Sequence, residues 1–207
     1  MTATIDQQSV YLIDDDDSLR TAVSRLLRTA GFDVHAYSSA AEFLISQTPM
    51  SRGCLLLDIR MPTGPSGLEL QKGLMRQASP IPIIFMTGHG DIPMSVQAIK
   101  DGAFDFLTKP VRRETLISTV GAALEVEAAA WESSERRRKL KQRKSSLTPA
   151  ELAVYERVVA GQPNKQITAE LNCSERTVKA HRANVMAKME ASSLADLVHI
   201  ADEIKET

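Results

Sequence analysis

Four segments in the first 110 residues place a reactive side chain directly after a run of apolar residues. Asp14 and Asp15 begin a run of aspartates, and Asp58, Thr87 and Lys109 each follow a later apolar run. Carboxylate oxygens and water are the ligands that Mg²⁺ prefers, and a carboxylate can act as a nucleophile that forms an aspartyl phosphate. A hydroxyl and an ammonium group would bind the phosphoryl oxygens, so this set of residues suits Mg²⁺-dependent phosphoryl transfer.

The elements that would position these side chains are predicted to be the strands of a parallel sheet. Helical patterns alternate with five short runs of β-forming residues, at 10–13, 34–37, 54–57, 83–86 and 104–107. This alternation favours a doubly wound α/β fold whose five-stranded sheet is covered on both faces. Functional groups in such sheets lie at the carboxyl ends of the strands. We therefore expect the four segments to meet at one edge of the sheet.

The aspartates raise an electrostatic problem that a metal ion would solve. Asp14, Asp15 and Asp58 are expected within a few ångströms of one another, and two like charges about 4 Å apart repel by about 4 kcal/mol at an effective dielectric of about 20. A fold tolerates this repulsion with a bound cation or with raised pKa values. We therefore predict a Mg²⁺ site at these three residues. The plainer alternative, capping of the first helix, is preferred for Asp16 and Asp17.

These motifs resemble the receiver domains of response regulators, in particular those of the FixJ group. The resemblance covers about residues 8–127 and rests on LIDDDDSLR, LLLDIRMP, FMTGHGDIPM and FDFLTKP, which occur in the family's order. It implies a flavodoxin-like receiver in which Asp58 is the phosphoacceptor. It also implies a Mg²⁺ site formed by Asp15 and Asp58 directly, by the main-chain carbonyl of Arg60, and by Asp14 through water.

The same resemblance implies which residues sense the phosphoryl group. Thr87 and Lys109 would bind it, a cis peptide bond would join Lys109 to Pro110, and Phe106 would be the aromatic switch residue. A plain core aromatic is the alternative interpretation of Phe106. One departure from the family lies beside the phosphoacceptor. Residues 63–66 make four residues between the MP pair and the glycine after Ser66, where the family usually has three, which bears on the local geometry and the lifetime of the phosphoryl group.

The C-terminal part of the chain shows the pattern of a helix-turn-helix. Thr148 and Glu151 form a capping-box pattern. A break at 161–163 then precedes the short helix NKQITAEL, the turn NCS and a longer helix capped by Ser174. Two helices joined by three or four residues typically place the second helix in the DNA major groove. The basic residues of that second helix are Arg176, Lys179, Arg182 and Lys188, and its predicted buried stripe is Val178, Val185 and Met189.

Residues 147–201 resemble the LuxR/GerE-type DNA-binding domain through LTPAE, NKQI and SERTVKAHRANVMAKM. The resemblance implies that base edges are faced by Lys179, Ala180 and Ala183, with Arg182 as a further contact. It implies that phosphates are bound by Lys165, Arg176 and Thr177. The last helix, 194–205, would provide dimer contacts, with the candidates Leu194, Leu197, Val198 and Ala201. Where the family usually has a glycine turn before that helix, this chain has Glu190 and Ala191.

Charge and pattern divide the chain into a receiver domain at 1–125, a helical linker at 126–146 and a helix-turn-helix domain at 147–207. The net charge is −1, yet residues 125–144 hold 7 Lys/Arg against 4 Asp/Glu. Such a basic run is usually a solvated linker face. The two cysteines lie far apart, which argues against a disulfide framework. No signal-peptide or membrane-spanning pattern is seen, so we expect a cytoplasmic protein that does not bind membranes.

Together these patterns predict a bacterial two-component response regulator and transcriptional regulator that is not itself an enzyme. A partner histidine kinase would phosphorylate Asp58 with Mg²⁺ as cofactor. The phosphoryl group would promote homodimerisation through the fourth helix, the fifth strand and the fifth helix. The dimer would bind promoter DNA, with RNA polymerase as an expected further partner.

Three alternatives stay open at this point. An aspartate-based phosphatase typically has a second aspartate two residues after the nucleophile, where this chain has Arg60. A receiver could instead control an RNA-binding or protein-binding helical module, although the basic residues concentrate on one helix. A regulator that needs no phosphoryl group is the third alternative, and the complete set of acceptor residues argues against it.

Overall fold

The first of two compact units is built on a parallel sheet. A computed structural model describes the protein at residues 8–46, 52–62, 64–76, 81–88 and 92–205. The units are Met1–Trp131 and Glu132–Thr207. Within the first unit the strands are β1 (Ser9–Ile13), β2 (Asp33–Tyr37), β3 (Gly53–Asp58), β4 (Ile83–Thr87) and β5 (Asp105–Thr108). Their order is β2-β1-β3-β4-β5, and all neighbouring strands are parallel.

Helices cover both faces of this sheet, which confirms the predicted doubly wound α/β fold. They are α1 (Asp17–Thr29), α2 (Ala40–Ile45), α3 (Gly67–Arg76), α4 (Ile92–Lys100) and α5 (Arg113–Ser145), the last of which continues into the second unit. Because successive strand residues face opposite sides, the core has two layers. One contains Leu27 of α1 and Leu116 of α5. The other contains Phe43 of α2, Leu70 of α3 and Ala98 of α4.

Helix α1 begins within the aspartate run, as predicted. Asp16 is its N-cap, and the Asp16 carboxylate accepts hydrogen bonds from the backbone N–H groups of Ser18 and Leu19 at 2.9 and 3.0 Å. Asp17 lies in the first turn, where the helix dipole favours a negative charge. The capping therefore uses Asp16 and Asp17, and it leaves Asp14 and Asp15 at the carboxyl end of β1.

The second unit is all helical in its described residues. After the end of α5 it contains α6 (Pro149–Val159), α7 (Asn164–Leu171), α8 (Glu175–Met189) and α9 (Leu194–Lys205). Thr148 and Glu151 form the predicted capping box. Asn172 turns the chain between α7 and α8 in the left-handed conformation, with φ of 47°. Ser174 then caps α8 by accepting a hydrogen bond from the Thr177 backbone N–H.

The core of this unit corrects one set of predictions about its last helix. Leu197 and Ala201 are buried in the core of their own unit, so neither can supply the dimer contact for which it was a candidate. Leu194 is 42% exposed and stays available. Leu140, inside the predicted linker, is buried in the same core, and this part of α5 therefore contributes to the fold of the second unit. The linker limits 126–146 stay a prediction.

Candidate functional site

Three aspartates meet at the carboxyl edge of the sheet. Asp14 and Asp15 follow β1, and Asp58 ends the neighbouring strand β3. One carboxylate oxygen from each of the three residues lies within 4.8 Å of the others. Asp14 is fully buried, Asp58 is buried and Asp15 is exposed. The cluster lies between β1 and β3, where the order of a doubly wound sheet reverses and ligands typically bind.

Lys109, which follows the edge strand β5, contributes a positive charge to this cluster. Its Nζ donates hydrogen bonds to Asp14 Oδ2 at 2.8 Å and to Asp58 Oδ2 at 2.6 Å. The backbone holds Lys109 in place, because its N–H donates to the Thr87 carbonyl at 2.7 Å. The Lys109–Pro110 peptide bond is cis, as the receiver resemblance implies. One ammonium group therefore binds two carboxylates from two different strands.

Burial and the ion pairs set the protonation of the cluster. Burial raises the pKa of Asp14, and the hydrogen bond from Lys109 opposes this effect only in part. Burial alone would lower the pKa of the Lys109 ammonium, but its hydrogen bonds to Asp14 and Asp58 outweigh that effect and raise the pKa. Lys109 is therefore charged at neutral pH. Three carboxyl groups therefore face one ammonium group, and clustered carboxyl oxygens are the kind of site that binds a hard cation.

The remaining predicted residues of this site lie on the same strands or next to them. The Arg60 backbone N–H donates to Asp58 Oδ1 at 3.1 Å, so residue 60 sits against the carboxylate that precedes it. Thr87 ends β4, the neighbour of β3, and is buried. Phe106 lies on β5 opposite Phe85 and is 38% exposed. This exposure argues against the plain core interpretation of Phe106.

Gly67 is a residue of this site that the sequence interpretation missed. A Cβ atom at this position would lie 2.3 Å from the main-chain oxygen of Asp58 and 3.1 Å from Phe85 Cε1. The loop after Asp58 returns here, with the Gly67 N–H donating to the Ile59 carbonyl at 3.3 Å. A glycine is therefore needed where α3 begins. Of the lengthened loop, Gly64, Pro65 and Ser66 are described and Thr63 lies outside the described residues.

Most of the residues predicted to contact DNA are exposed in the second unit. The exposed residues of this set are Lys165 at the start of α7 and, on α8, Arg176, Thr177, Lys179, Ala180 and Ala183. Lys179 pairs along the helix with Glu175 at 3.0 Å. Arg182 differs from them, because it is half-buried and donates to Asn164 Oδ1 of α7 at 3.0 Å.

Lys188 is also exposed, but its ammonium group is bound to residues outside α8. Its Nζ donates to Glu151 Oε2 at 2.6 Å and to the Ser146 carbonyl at 3.3 Å. Glu151 is buried, and the hydrogen bond from Lys188 lowers its pKa to about 2. The Lys188 ammonium therefore has a carboxylate partner on α6. The turn after α8 keeps the left-handed conformation that favours glycine, now adopted by Glu190 with φ of 54°.

The described helices include none that is both long enough and apolar enough to cross a membrane.

Comparison with known proteins assigns a family to each of the two units. Residues 10–121 match the family described as the response regulator receiver domain, and residues 145–201 match the family of bacterial regulatory proteins of the luxR type. Both matches agree with the geometry, because the first contains the aspartate cluster and the second contains α6, α7, α8 and the first part of α9.

Full-length relatives share both units with this chain. The response regulator protein TodT of Pseudomonas putida is 44% identical over 198 residues, which cover 96% of this chain and 87% of TodT. The transcriptional regulatory protein FixJ of Bradyrhizobium diazoefficiens is 43% identical over 192 residues, or 93% of each protein.

Solved structures of response regulators also match both units of this chain. The response regulator StyR is similar with a TM-score of 0.86 and 44% identity, covering 95% of this chain and 99% of that one. Full-length FixJ from B. japonicum has a TM-score of 0.59 and 41% identity, covering 97% and 98%. The chain therefore belongs to the NarL/FixJ family of two-component response regulators, in which a flavodoxin-like receiver domain precedes a LuxR-type helix-turn-helix DNA-binding domain.

Proposed function

We propose that a partner histidine kinase phosphorylates Asp58 in the presence of Mg²⁺, and that the phosphorylated protein dimerises and regulates transcription from promoter DNA. The observation that carries this proposal is the bridge from Lys109 to Asp14 and Asp58. This bridge places the Lys109 ammonium next to Asp58, the potential nucleophile, at the carboxyl edge of the sheet. Because the proposed target is chromosomal DNA, the protein would act in the cytoplasm, with RNA polymerase as a further partner.

The donor set fits Mg²⁺ as the cofactor. All candidate ligands are oxygens, and three carboxylates converge within 4.8 Å, which matches the preference of this ion for carboxylates and water. Asp15 and Asp58 would bind the ion directly, with the Arg60 carbonyl as a third ligand and Asp14 acting through water. When bound, Mg²⁺ supplies charge stabilisation for a phosphoryl group that approaches the carboxylates.

The chain's own residues would carry out the transfer and sense its product. An oxygen of Asp58 forms the new bond to phosphorus, while the bond from phosphorus to the donor breaks. The Lys109 ammonium, now 2.6 Å from Asp58, would bind an oxygen of the incoming group, and Thr87 would donate its hydroxyl hydrogen to another. Charge-assisted bonds of this kind contribute roughly 1.5–3 kcal/mol each. Two such bonds approach the roughly 5.5 kcal/mol that moves a two-state equilibrium from about 1:99 to about 99:1.

The dimer surface would be the face built from α4, β5 and α5. Three large apolar side chains on this face are exposed, namely Val96, Ile99 and Phe106. Phe106 would be the switch that links them to the phosphoryl group: Thr87 of β4 would shift inward, and Phe106 on the neighbouring strand β5 would follow. Leu194 and Val198 of α9 stay candidates for contacts between two DNA-binding domains.

Dimerisation is a reasonable point of control because one copy offers few cations to DNA. The base-facing residues would be Lys179, Ala180 and Ala183, and the phosphate-binding residues would be Lys165, Arg176 and Thr177. The salt dependence of binding follows the number of neutralised phosphates, with a slope of about −0.9 for each. A single copy should therefore bind weakly at physiological salt, and two copies on paired half-sites would double the contacts.

The phosphoacceptor is tested by labelling the full-length protein with acetyl phosphate. We expect the wild type to be modified only when Mg²⁺ is present, and Asp58→Asn to remain unmodified. Asp105→Asn is the matched control, because it removes the same charge from the same unit outside the aspartate cluster. Full labelling of Asp58→Asn would overturn the proposal, and so would multiple turnover of external phosphate esters.

The output is tested by binding to duplex DNA, single-stranded DNA and RNA of matched length. We expect duplex-selective binding that is stronger after treatment with a phosphoryl donor and is lost in Lys179→Ala. Lys72→Ala, an exposed lysine of α3, should leave binding unchanged. Equal affinity for RNA, or equal dimerisation with and without the phosphoryl donor, would contradict the proposed output.

A further inference from the structure

Arg182 is bound across the helix-turn-helix, unlike the exposed cations of α8. Its Nη1 donates to Asn164 Oδ1 at 3.0 Å, and the two residues are 18 positions apart. Arg176 and Lys179 are exposed, whereas Arg182 is half-buried. The guanidinium therefore has a fixed partner on α7 before any DNA is bound.

The position of Arg182 on α8 explains this contact. Val178, Val185 and Met189 are fully buried, and Arg182 lies four residues after the first and three before the second. Residues at these spacings share one face of a helix, so Arg182 is the polar member of the stripe that faces the core. The predicted base-facing residues Lys179, Ala180 and Ala183 lie on other positions of the helix. Arg182 is consequently placed at the seam between α7 and α8.

Asn164 is available for this contact because it does not cap its own helix. It is the first residue of α7, whose N-cap is Pro163 and whose first turn has no side-chain cap. Its main-chain carbonyl accepts a hydrogen bond from the Thr168 hydroxyl at 2.7 Å, so the backbone of Asn164 is part of the regular helix. The amide oxygen is therefore presented to α8 from a rigid element.

The rest of the guanidinium reaches solvent. An arginine has five N–H donors in a planar fork, and Asn164 accepts from one nitrogen. Among the described residues, the side-chain atoms that are both buried and unpaired include none from Arg182. The remaining N–H donors of Arg182 are therefore exposed to solvent where α7 meets α8. In helix-turn-helix complexes the first helix crosses the DNA backbone while the second enters the major groove, so a cation at the seam faces a phosphate rather than a base edge.

We propose that Asn164 is a positioning residue that holds the Arg182 guanidinium for a DNA phosphate, and that Arg182 contributes affinity without sequence preference. This inference rests on the proposed binding of duplex DNA. Arginine binds phosphate through two parallel N–H groups, and a fork whose rotamer is already fixed loses less entropy on binding. Fixing one such side chain corresponds to roughly a two- to tenfold gain in affinity.

The test uses full-length protein treated with acetyl phosphate and two DNA probes. One is a duplex selected from a random-sequence pool with the wild type, and the other is a shuffled duplex of the same composition. Binding is measured over a range of salt concentrations. Arg182→Gln removes the charge but keeps an N–H donor for Asn164, and Lys72→Gln removes the same charge from an exposed site in the receiver.

We expect Arg182→Gln to weaken binding to both duplexes by the same factor and to make the salt dependence shallower by about one phosphate per copy. Lys72→Gln should match the wild type. An unchanged salt slope for Arg182→Gln would overturn the inference, because Arg182 would then only join α7 to α8 and bind no phosphate. A loss confined to the selected duplex would overturn it as well, since that result indicates a base contact.

The role of Asn164 is tested by a double-mutant cycle with the same probes. Asn164→Ala should weaken binding roughly two- to tenfold when Arg182 is present and have little effect in the Arg182→Gln background. Equal effects in both backgrounds would refute the positioning role. Thermal unfolding of each variant separates a loss of fold from a loss of contact. If the wild type fails to bind duplex DNA at all, the proposed function fails; if only the salt slope or the coupling is absent, this inference fails alone.

Discussion

Lys109 Nζ lies 2.6 Å from Asp58 Oδ2, although the two residues are 51 positions apart in the chain. The same ammonium group lies 2.8 Å from Asp14 Oδ2. Lys109 is therefore the counter-charge for two buried carboxylates before any phosphoryl group arrives.

Lys109→Met should destabilise the receiver most strongly when Mg²⁺ is absent. The substitution leaves Asp14 and Asp58 without the ammonium that now binds both, and removing one partner of a buried ion pair typically costs about 3–5 kcal/mol. Added Mg²⁺ should restore more stability to this variant than to the wild type, because an ion that binds only the folded state stabilises it by mass action. Thermal unfolding with and without Mg²⁺ measures both effects. Lys72→Met is the control, and an equal response of all three proteins to Mg²⁺ would contradict the prediction.

Gly67→Ala should displace the backbone of the phosphoacceptor Asp58. The new Cβ would lie 2.3 Å from the Asp58 carbonyl oxygen, so the backbone that carries the Asp58 carboxylate has to move. We expect a loss of about 1–3 kcal/mol in the unfolding free energy and slower labelling by acetyl phosphate. Gly73→Ala on the same helix meets no atom within 4 Å and should stabilise by about 0.5–1 kcal/mol. Urea unfolding of the two variants checks the contrast, which would disappear if the loop could relax freely.

Glu127→Leu should loosen helix α5 from the sheet. Glu127 is buried, accepts a hydrogen bond from Gln8 Nε2 at 2.7 Å and lies 3.4 Å from Arg52 Nε. Removing one partner of a buried ion pair typically costs about 3–5 kcal/mol, and Glu127→Gln should cost less. The exposed Glu125→Leu should change stability by no more than about 0.5 kcal/mol. Urea unfolding followed by Trp131 fluorescence reports the transition, and equal midpoints for the Glu125 and Glu127 variants would show that the contact is not stabilising.

The second unit should lose stability at acid pH as Glu151 becomes protonated. Its pKa is lowered from 4.5 to about 2, chiefly by the hydrogen bond from Lys188. A carboxyl with a lowered folded-state pKa stabilises the fold fully above its unfolded pKa, and this contribution is lost as pH falls from about 4.5 through about 2. Lys188→Met should raise the pKa of Glu151 and move the loss of helical circular dichroism to higher pH. Lys205→Met is the control, and identical acid transitions for the two variants would contradict this assignment.

Most of the receiver and its site could be predicted because the residue patterns that indicate them are local. Strands are short apolar runs, and parallel strands bring their carboxyl ends to one edge, so the meeting of Asp14, Asp58 and Lys109 follows from where each apolar run ends. The capping by Asp16 and Ser174 is local as well, because a cap bonds to backbone groups two or three residues away.

The errors lie where a side chain could take one of several partners. Lys188 is one of the basic residues of α8, as predicted, but the sequence did not indicate that its partner is Glu151, 37 positions away. Leu197 and Ala201 were candidates for dimer contacts because they are apolar, and only the packing of α9 shows that they fill their own core. The spacing of apolar residues along α9 does not tell whether a side chain packs inside its own unit or contacts a second copy.

The sequence by itself determined the order of the elements, the identity of the clustered aspartates and the presence of a helix-turn-helix, since each depends on residues close together in the chain. Tertiary structure alone decided that Lys109 binds Asp14 and Asp58 at once, that Gly67 must lack a side chain, and that Arg182 is bound by Asn164. These are contacts across 9 to 95 positions. They depend on positions of the elements that are accurate to a few tenths of an ångström, and those positions are set by how the whole core packs.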